Sequence, residues 1–112
     1  MRTEPIHNAE FLLSEGEGVI SRDAVTLAKG QNLVAGTVLG KITASGKYAA
    51  YNNAATDGTE TAAGILLMST DATNADMPAV AITRLAEVTA QSLTGLDTAA
   101  TADLAALNII VR

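Results

Sequence analysis

The sequence contains no cysteine and no tryptophan, one histidine (His7) and one phenylalanine (Phe11); its other aromatics are Tyr48 and Tyr51. Without cysteine there are no disulfides, thiolate nucleophiles or Cys-ligated zinc sites, so the fold is held non-covalently. Lysine and arginine number only seven, form no cluster, and leave a formal charge of −5. Nucleic acid, whose phosphates are bound by basic patches, is therefore not an expected partner. No apolar run approaches the ~20 residues of a membrane span, and the first residues lack the charged-then-apolar layout of a signal peptide; the chain is expected to be made in the cytoplasm. Large apolar side chains are scarce too, with alanine at 22 of the 112 positions. Large side chains contribute about 1.5 to 3 kcal/mol each when buried, so a single domain of this length built on Ala, Val, Leu and Ile gains from contacts with further subunits. This points to an oligomer.

The residues that would carry chemistry are equally sparse. His7 would have to serve as the base of any Ser-His-Asp triad, but no G-x-S-x-G elbow accompanies it, and it reads as a polar tail residue. The 12 acids are scattered. The D-x-[DN]-x-[DN]-G calcium pattern is absent, and Asp71, Asn74 and Asp76 read as a solvated loop. In AKGQNLVAGTVLGK there is neither G-x-G-x-x-G nor G-x-x-x-x-G-K-[ST], and no helix follows to receive an anion, so these are turn and close-packing glycines. Asp23 and Glu87 form a carboxylate pair only if the fold brings them together. No enzymatic activity, cofactor or metal is expected.

Two parts are expected: an extended arm over residues 1–18 and a compact β domain over residues 19–112. Gly16 and Gly18, among acids, close the arm. The body then reads as a strand with Val25 and Leu27 on one face, a turn at Lys29-Gly30-Gln31, and a strand from Val38 to Ile42. Ser45-Gly46 turns the chain into KYAAYN, where Tyr48 and Tyr51 fall on opposite faces of a straight strand. Asp57-Gly58 is a turn dipeptide leading into the apolar run Ala63 to Met68, expected to be buried on both faces. STDATNADMP reads as polar loop. Val80 and Ile82 share a face, and an extended piece begins at Ala86. One helix is predicted from about Ala99 to Leu107, with Leu96, Ala100, Leu104 and Leu107 at helical spacing, Asp97 or Thr98 as N-cap, and Asn108 as its end. Ile109-Ile110-Val111 reads as a last core strand. The fold class is thus mostly β, a small barrel-like or β-tulip domain with one short helix late in the chain.

The first 23 residues, MRTEPIHNAEFLLSEGEGVISRD, which contain the arm, carry the one positive signal. Pro5 forbids a regular helix interior, Glu4, Glu10, Glu15 and Glu17 keep it soluble, and Ile6, Phe11, Leu12 and Leu13 give it apolar surface to bury. It can cover its own body or grip a partner, for instance by adding as a strand to a sheet edge.

The runs EPIHNAEFLLSEGEGVISRDAVTLAKGQNLVAGTVLGKI, NNAATDGTETAAGILL, AVAITRLAEVTAQSLTGL and LAALNIIVR together resemble the phage lambda-type head decoration proteins, over nearly the whole chain. The motifs F-L-L-S-E, S-R-D-x-V-T, L-x-x-G-T-V-L-G, A-A-G-I-L and N-I-I-V-R are modest singly; their order and spacing make the match specific. Leu93-Thr94-Gly95 departs from it, since relatives often carry an aromatic there.

The resemblance implies a non-enzymatic cement protein of the virion's outer surface that binds the major capsid protein of the expanded icosahedral head and sits as homotrimers at three-fold positions. It implies a capsid-contact role for Glu4, Pro5, Ile6, His7, Phe11, Leu12 and Leu13, most of all Pro5, Ile6, Phe11 and Leu12. The competing reading from the residues is a glycine-rich β binding module, such as a particle-displayed carbohydrate or host-surface adhesin, against which the lack of tryptophan and scarcity of tyrosine weigh.

Overall fold

The computed structural model describes residues 21–112 and the backbone of residues 12–15. The strands are β1 (Leu12–Glu15), β2 (Arg22–Leu27), β3 (Gln31–Leu33), β4 (Val38–Lys41), β5 (Tyr48–Ala50), β6 (Ala62–Leu66), β7 (Thr70–Ala72), β8 (Met77–Ile82) and β9 (Ala86–Val88). A 3₁₀ turn (Ala90–Ser92), helix α1 (Thr98–Ala106) and strand β10 (Ile109–Val111) follow.

Five strands close into a barrel in the order β2-β5-β4-β6-β8, with β2 and β8 antiparallel from Arg22↔Ile82 to Leu27↔Met77 to complete the ring. Closure leaves the barrel no free edge between its members. Outside it lie a three-stranded sheet, β1-β9-β10, and a ribbon, β3-β7. The mostly β fold with a barrel and one short helix late in the chain is as the sequence predicts.

Two apolar clusters share the barrel wall. Leu27, Leu39, Leu66, Ala72, Ala79 and Ala81 form one, while Val38, Ile65, Leu67, Ile82, Val88, Leu104 and Ile109 belong to the other. Successive residues of a strand point to opposite faces. Val38 and Leu39, Ile65 and Leu66, and Ala81 and Ile82 therefore each split between the two clusters, and β4, β6 and β8 are buried on both sides. The small buried alanines Ala62 of β6 and Ala79 and Ala81 of β8 suit this thin wall. Tyr48 packs on the first cluster and Tyr51 on the second, the opposite faces predicted for them.

The sheet needs glycine where backbones cross closely. A Cβ on Gly40 would stand 2.5 Å from Thr59 Cα, beside the register shift between Leu39 and Gly40 in the β4–β6 pairing. Such a crossing excludes any side chain.

Helix α1 starts and stops as its sequence dictates. The Asp97 side chain caps it by accepting from the Ala100 amide at 2.7 Å, and Ala100 and Leu104 are its buried residues. Asn108, at φ +63°, takes the left-handed position that ends many helices.

Three expectations are corrected. The polar stretch STDATNADMP contains β7, which pairs with β3 from Gln31↔Ala72 to Leu33↔Thr70. Gln31, assigned to a turn, begins β3. Met68, at the end of the run expected to be buried, is 42% exposed because the chain leaves the barrel wall after Leu67.

Candidate functional site

Of the predicted contact residues, Glu4, Pro5, Ile6, His7 and Phe11 lie outside the described residues, as does the division at residue 18 between arm and body. Leu12 and Leu13 fall in β1, whose backbone runs antiparallel to β9. The pairs are Leu12↔Val88, Ser14↔Glu87 and Glu15↔Ala86, with a register shift between Leu12 and Ser14. On its other side β9 takes β10 in parallel, Ile109↔Ala86 to Val111↔Val88.

This pairing sets Leu12, the first described residue, at the Val88 end of β9. There the Arg112 amide donates to the Val88 carbonyl at 2.9 Å and the Ala90 amide to the Arg112 carbonyl at 3.0 Å. Arg112 also forms an ion pair with Glu87, the residue opposite Ser14. An 11-residue segment in extended conformation reaches about 36 Å from that point.

The described surface offers apolar features rather than reactive ones. Val34, Met68, Met77, Leu85 and Ile110 are large apolar residues at the surface. A groove of about 240 Å³ is lined by Leu33, Val34, Thr37 and Tyr51 among others, with Thr94 and Gly95 of the Leu93-Thr94-Gly95 segment forming part of its wall. A second, of about 350 Å³, runs between Met68, Thr70, Pro78 and Val80.

The carboxylates serve the fold. Arg84 and Thr83 both donate to Asp23, and these bonds, that from Arg84 first, hold its carboxyl below the usual range. Asp76 is lowered by Lys47 and the Lys29 amide, Asp57 by Thr59 and Asp71 by Thr73. Asp23 and Glu87 are each engaged by an arginine, Arg84 and Arg112 respectively. Among the described residues no three His, Cys, Asp or Glu side chains converge as a metal site would require. The arrangement can present main-chain edges and apolar contacts to another protein; the grooves depend on pairings distant in the chain and carry no local sequence signal.

The family model for bacteriophage lambda head decoration protein D matches residues 1–109. No curated protein matches the chain.

Proposed function

We propose that this chain, which belongs to the bacteriophage lambda head decoration protein family, is a structural protein of the virion that decorates and stabilises the phage head. The match along residues 1–109 is the observation that carries this reading. In finer detail, the protein binds the major capsid protein of the expanded shell as trimers at three-fold positions, on the outer surface, after synthesis in the host cytoplasm. Residues Glu4 to Leu13 make the contact, with Pro5, Ile6, Phe11 and Leu12 as its centre.

The physical mechanism is differential binding. Packaged DNA presses outward on the shell, and a ligand that binds only the expanded lattice stabilises that state by the difference in its affinity for the two. Arms joined through a trimer act together: once one is docked, the others see a high effective concentration, so a trimer holds ~100-fold or more tighter than one arm. The pairing of β1 with β9, which seats Leu12 at the Val88 end, supports this reading, since it ties the chain that follows the arm to the body.

The test is co-sedimentation with undecorated heads of the source phage, before and after expansion. Full-length protein is expected to pellet with expanded heads alone. Chains beginning at residue 12, which keep β1, and at residue 15 are expected to stay in the supernatant while retaining the circular dichroism of the body. Phe11→Ala is expected to weaken binding by about 1 to 3 kcal/mol, as for a buried anchor. Undiminished decoration by the truncated chains would overturn the arm's role, and absence of binding by the full-length chain would overturn decoration.

A further inference from the structure

Asp57 is the one aspartate of the sequence that is followed by glycine. In such a pair the glycine amide nitrogen can attack the aspartate side-chain carbon, because no Cβ on the second residue hinders the approach. A bond forms between that nitrogen and Cγ, the carboxyl OH and the amide hydrogen leave as water, and a five-membered succinimide results. Water then opens the ring at the former main-chain carbonyl, and the chain continues through Cβ and Cγ as isoaspartate. One water leaves and one returns, so no oxidant or other co-reactant is needed.

The reaction needs a protonated carboxyl, a released amide and a backbone free to swing the two together; the folded loop between β5 and β6 opposes all three. The Asp57 carboxylate accepts from the Thr59 hydroxyl at 2.6 Å and the Thr59 amide at 3.0 Å. These bonds favour the charged form and hold the carboxyl below its usual range. The Gly58 amide donates to the Glu60 carboxylate at 2.8 Å, a charge-assisted bond that keeps its hydrogen engaged. On either side the backbone is pinned, the Asp57 carbonyl accepting from the Thr43 amide and the Thr59 carbonyl from the Asn52 amide, both at 2.9 Å. Gly58 has φ +112°, and a Cβ there would overlap the Lys41 carbonyl oxygen and the Thr43 hydroxyl, so its peptide has no room to turn. Thr59 is buried, whereas Asp57 is exposed and within reach of water.

We propose that Asp57-Gly58 is an isomerisation site that the folded loop silences and that loop opening releases, so that isoaspartate at residue 57 marks chains that have been unfolded. The mark also blocks return to the native state. Isoaspartate adds one carbon to the main chain and moves the carboxylate onto Cα, which displaces Gly58 from its tight place against Lys41 and Thr43 and takes the acceptor away from Thr59. Asp71 shows that the carboxylate bonds alone do not define the site: it accepts from the Thr73 amide and hydroxyl in the same pattern, but Ala72 follows it and hinders attack. This inference is independent of head decoration.

The test incubates the full-length chain at neutral pH in buffer and in denaturing urea. Isoaspartate is then located by fragmentation mass spectrometry in the tryptic peptide of residues 48–84, which holds Asp57, Asp71 and Asp76. In urea it is expected at residue 57 ahead of the other two aspartates, and in buffer at a rate at least about tenfold lower, as for a reaction that waits on loop opening. Glu60→Gln and Thr59→Val, each shown by circular dichroism to be folded, are expected to raise the rate in buffer and to change it far less in urea. Chains isomerised in urea are expected to regain less native signal on dilution than unmodified chains treated alike. Equal rates in buffer and urea, or no isoaspartate at residue 57 in urea, would overturn the proposal with no variant required. Rates in buffer unmoved by both substitutions would remove the named bonds as the cause of silencing, and full refolding of isomerised chains would remove the block.

Discussion

The Tyr51 hydroxyl donates to the Asp97 carboxylate at 3.0 Å, and the same carboxylate caps α1 through the Ala100 amide. One side chain thereby joins the end of the barrel strand β5 to the start of the helix that covers the barrel. Asp97→Ala removes both bonds and is expected to lower stability by about 1 kcal/mol, the usual loss of a helix cap. Tyr51→Phe leaves the cap and is expected to cost less. Urea denaturation of both variants and the double variant checks this: losses that simply add would contradict the shared-carboxylate geometry.

The tyrosines set the alkaline limit. Burial and then the bond to Asp97 push Tyr51 from 10.0 up to about 12. Because the folded state holds this proton more tightly than the unfolded chain does, the contribution is present below pH 10.0 and is lost as pH rises toward about 12. Tyr48 is raised too, by burial and then by Asp23. Melting temperature is therefore expected to fall through this window, and less steeply in Tyr51→Phe. An identical alkaline slope in that variant would remove Tyr51 as the cause.

At low pH the sign reverses. Asp23, Asp57, Asp71 and Asp76 all lie below their ordinary 3.8, so the folded state releases these protons more readily than the unfolded chain. Their contribution is present above 3.8 and disappears as pH drops through the lowered folded-state values. Asp23→Asn is expected to make the acid-side decline in melting temperature shallower, because it removes the Arg84 pairing; an unchanged decline would show that Asp23 does not contribute.

Much of the body was legible because its signals are local. The Asp97 cap, the spacing of Ala100 and Leu104, the Asp57-Gly58 turn and the apolar run into Leu67 each depend on neighbours in sequence. What was missed depends on distant partners. Thr70-Asp71-Ala72 carries no strand signature by itself and becomes β7 only because Gln31-Asn32-Leu33 lies opposite. The closing β2–β8 ladder spans some 60 residues from Arg22 to Ile82 and leaves no local trace. The arm's apolar residues announced a surface to be covered, but pairing of Leu12–Glu15 with β9 could not be read from them.

Gly40 is expected to tolerate no side chain. In Gly40→Ala the methyl group would meet Thr59 backbone atoms, which cannot swing aside as a side-chain end would. A loss of about 1 to 3 kcal/mol is expected, as for overpacking elsewhere. Gly30→Ala makes the comparison informative, because it meets nothing within 4 Å and suffers only from its φ of +96°. Thermal melts that rank the two the other way would place the close crossing in doubt.

Leu104 tests the division of the core. It is fully buried on α1 and packs in the outer cluster with Ile65, Ile82 and Ile109, whereas Leu39 and Leu66 fill the barrel. Leu104→Ala removes most of the side chain through which the helix grips the barrel wall, at an expected loss of about 2 to 5 kcal/mol. Leu39→Ala empties the barrel side at a similar cost. Amide exchange separates the two if the clusters open independently: Leu104→Ala is expected to speed exchange in α1 and β10 more than in β2, and Leu39→Ala to speed it around the barrel. Equal acceleration in all strands by both variants would mean that the thin alanine-rich wall couples the clusters into one cooperative unit, and that helix, outer sheet and barrel melt together.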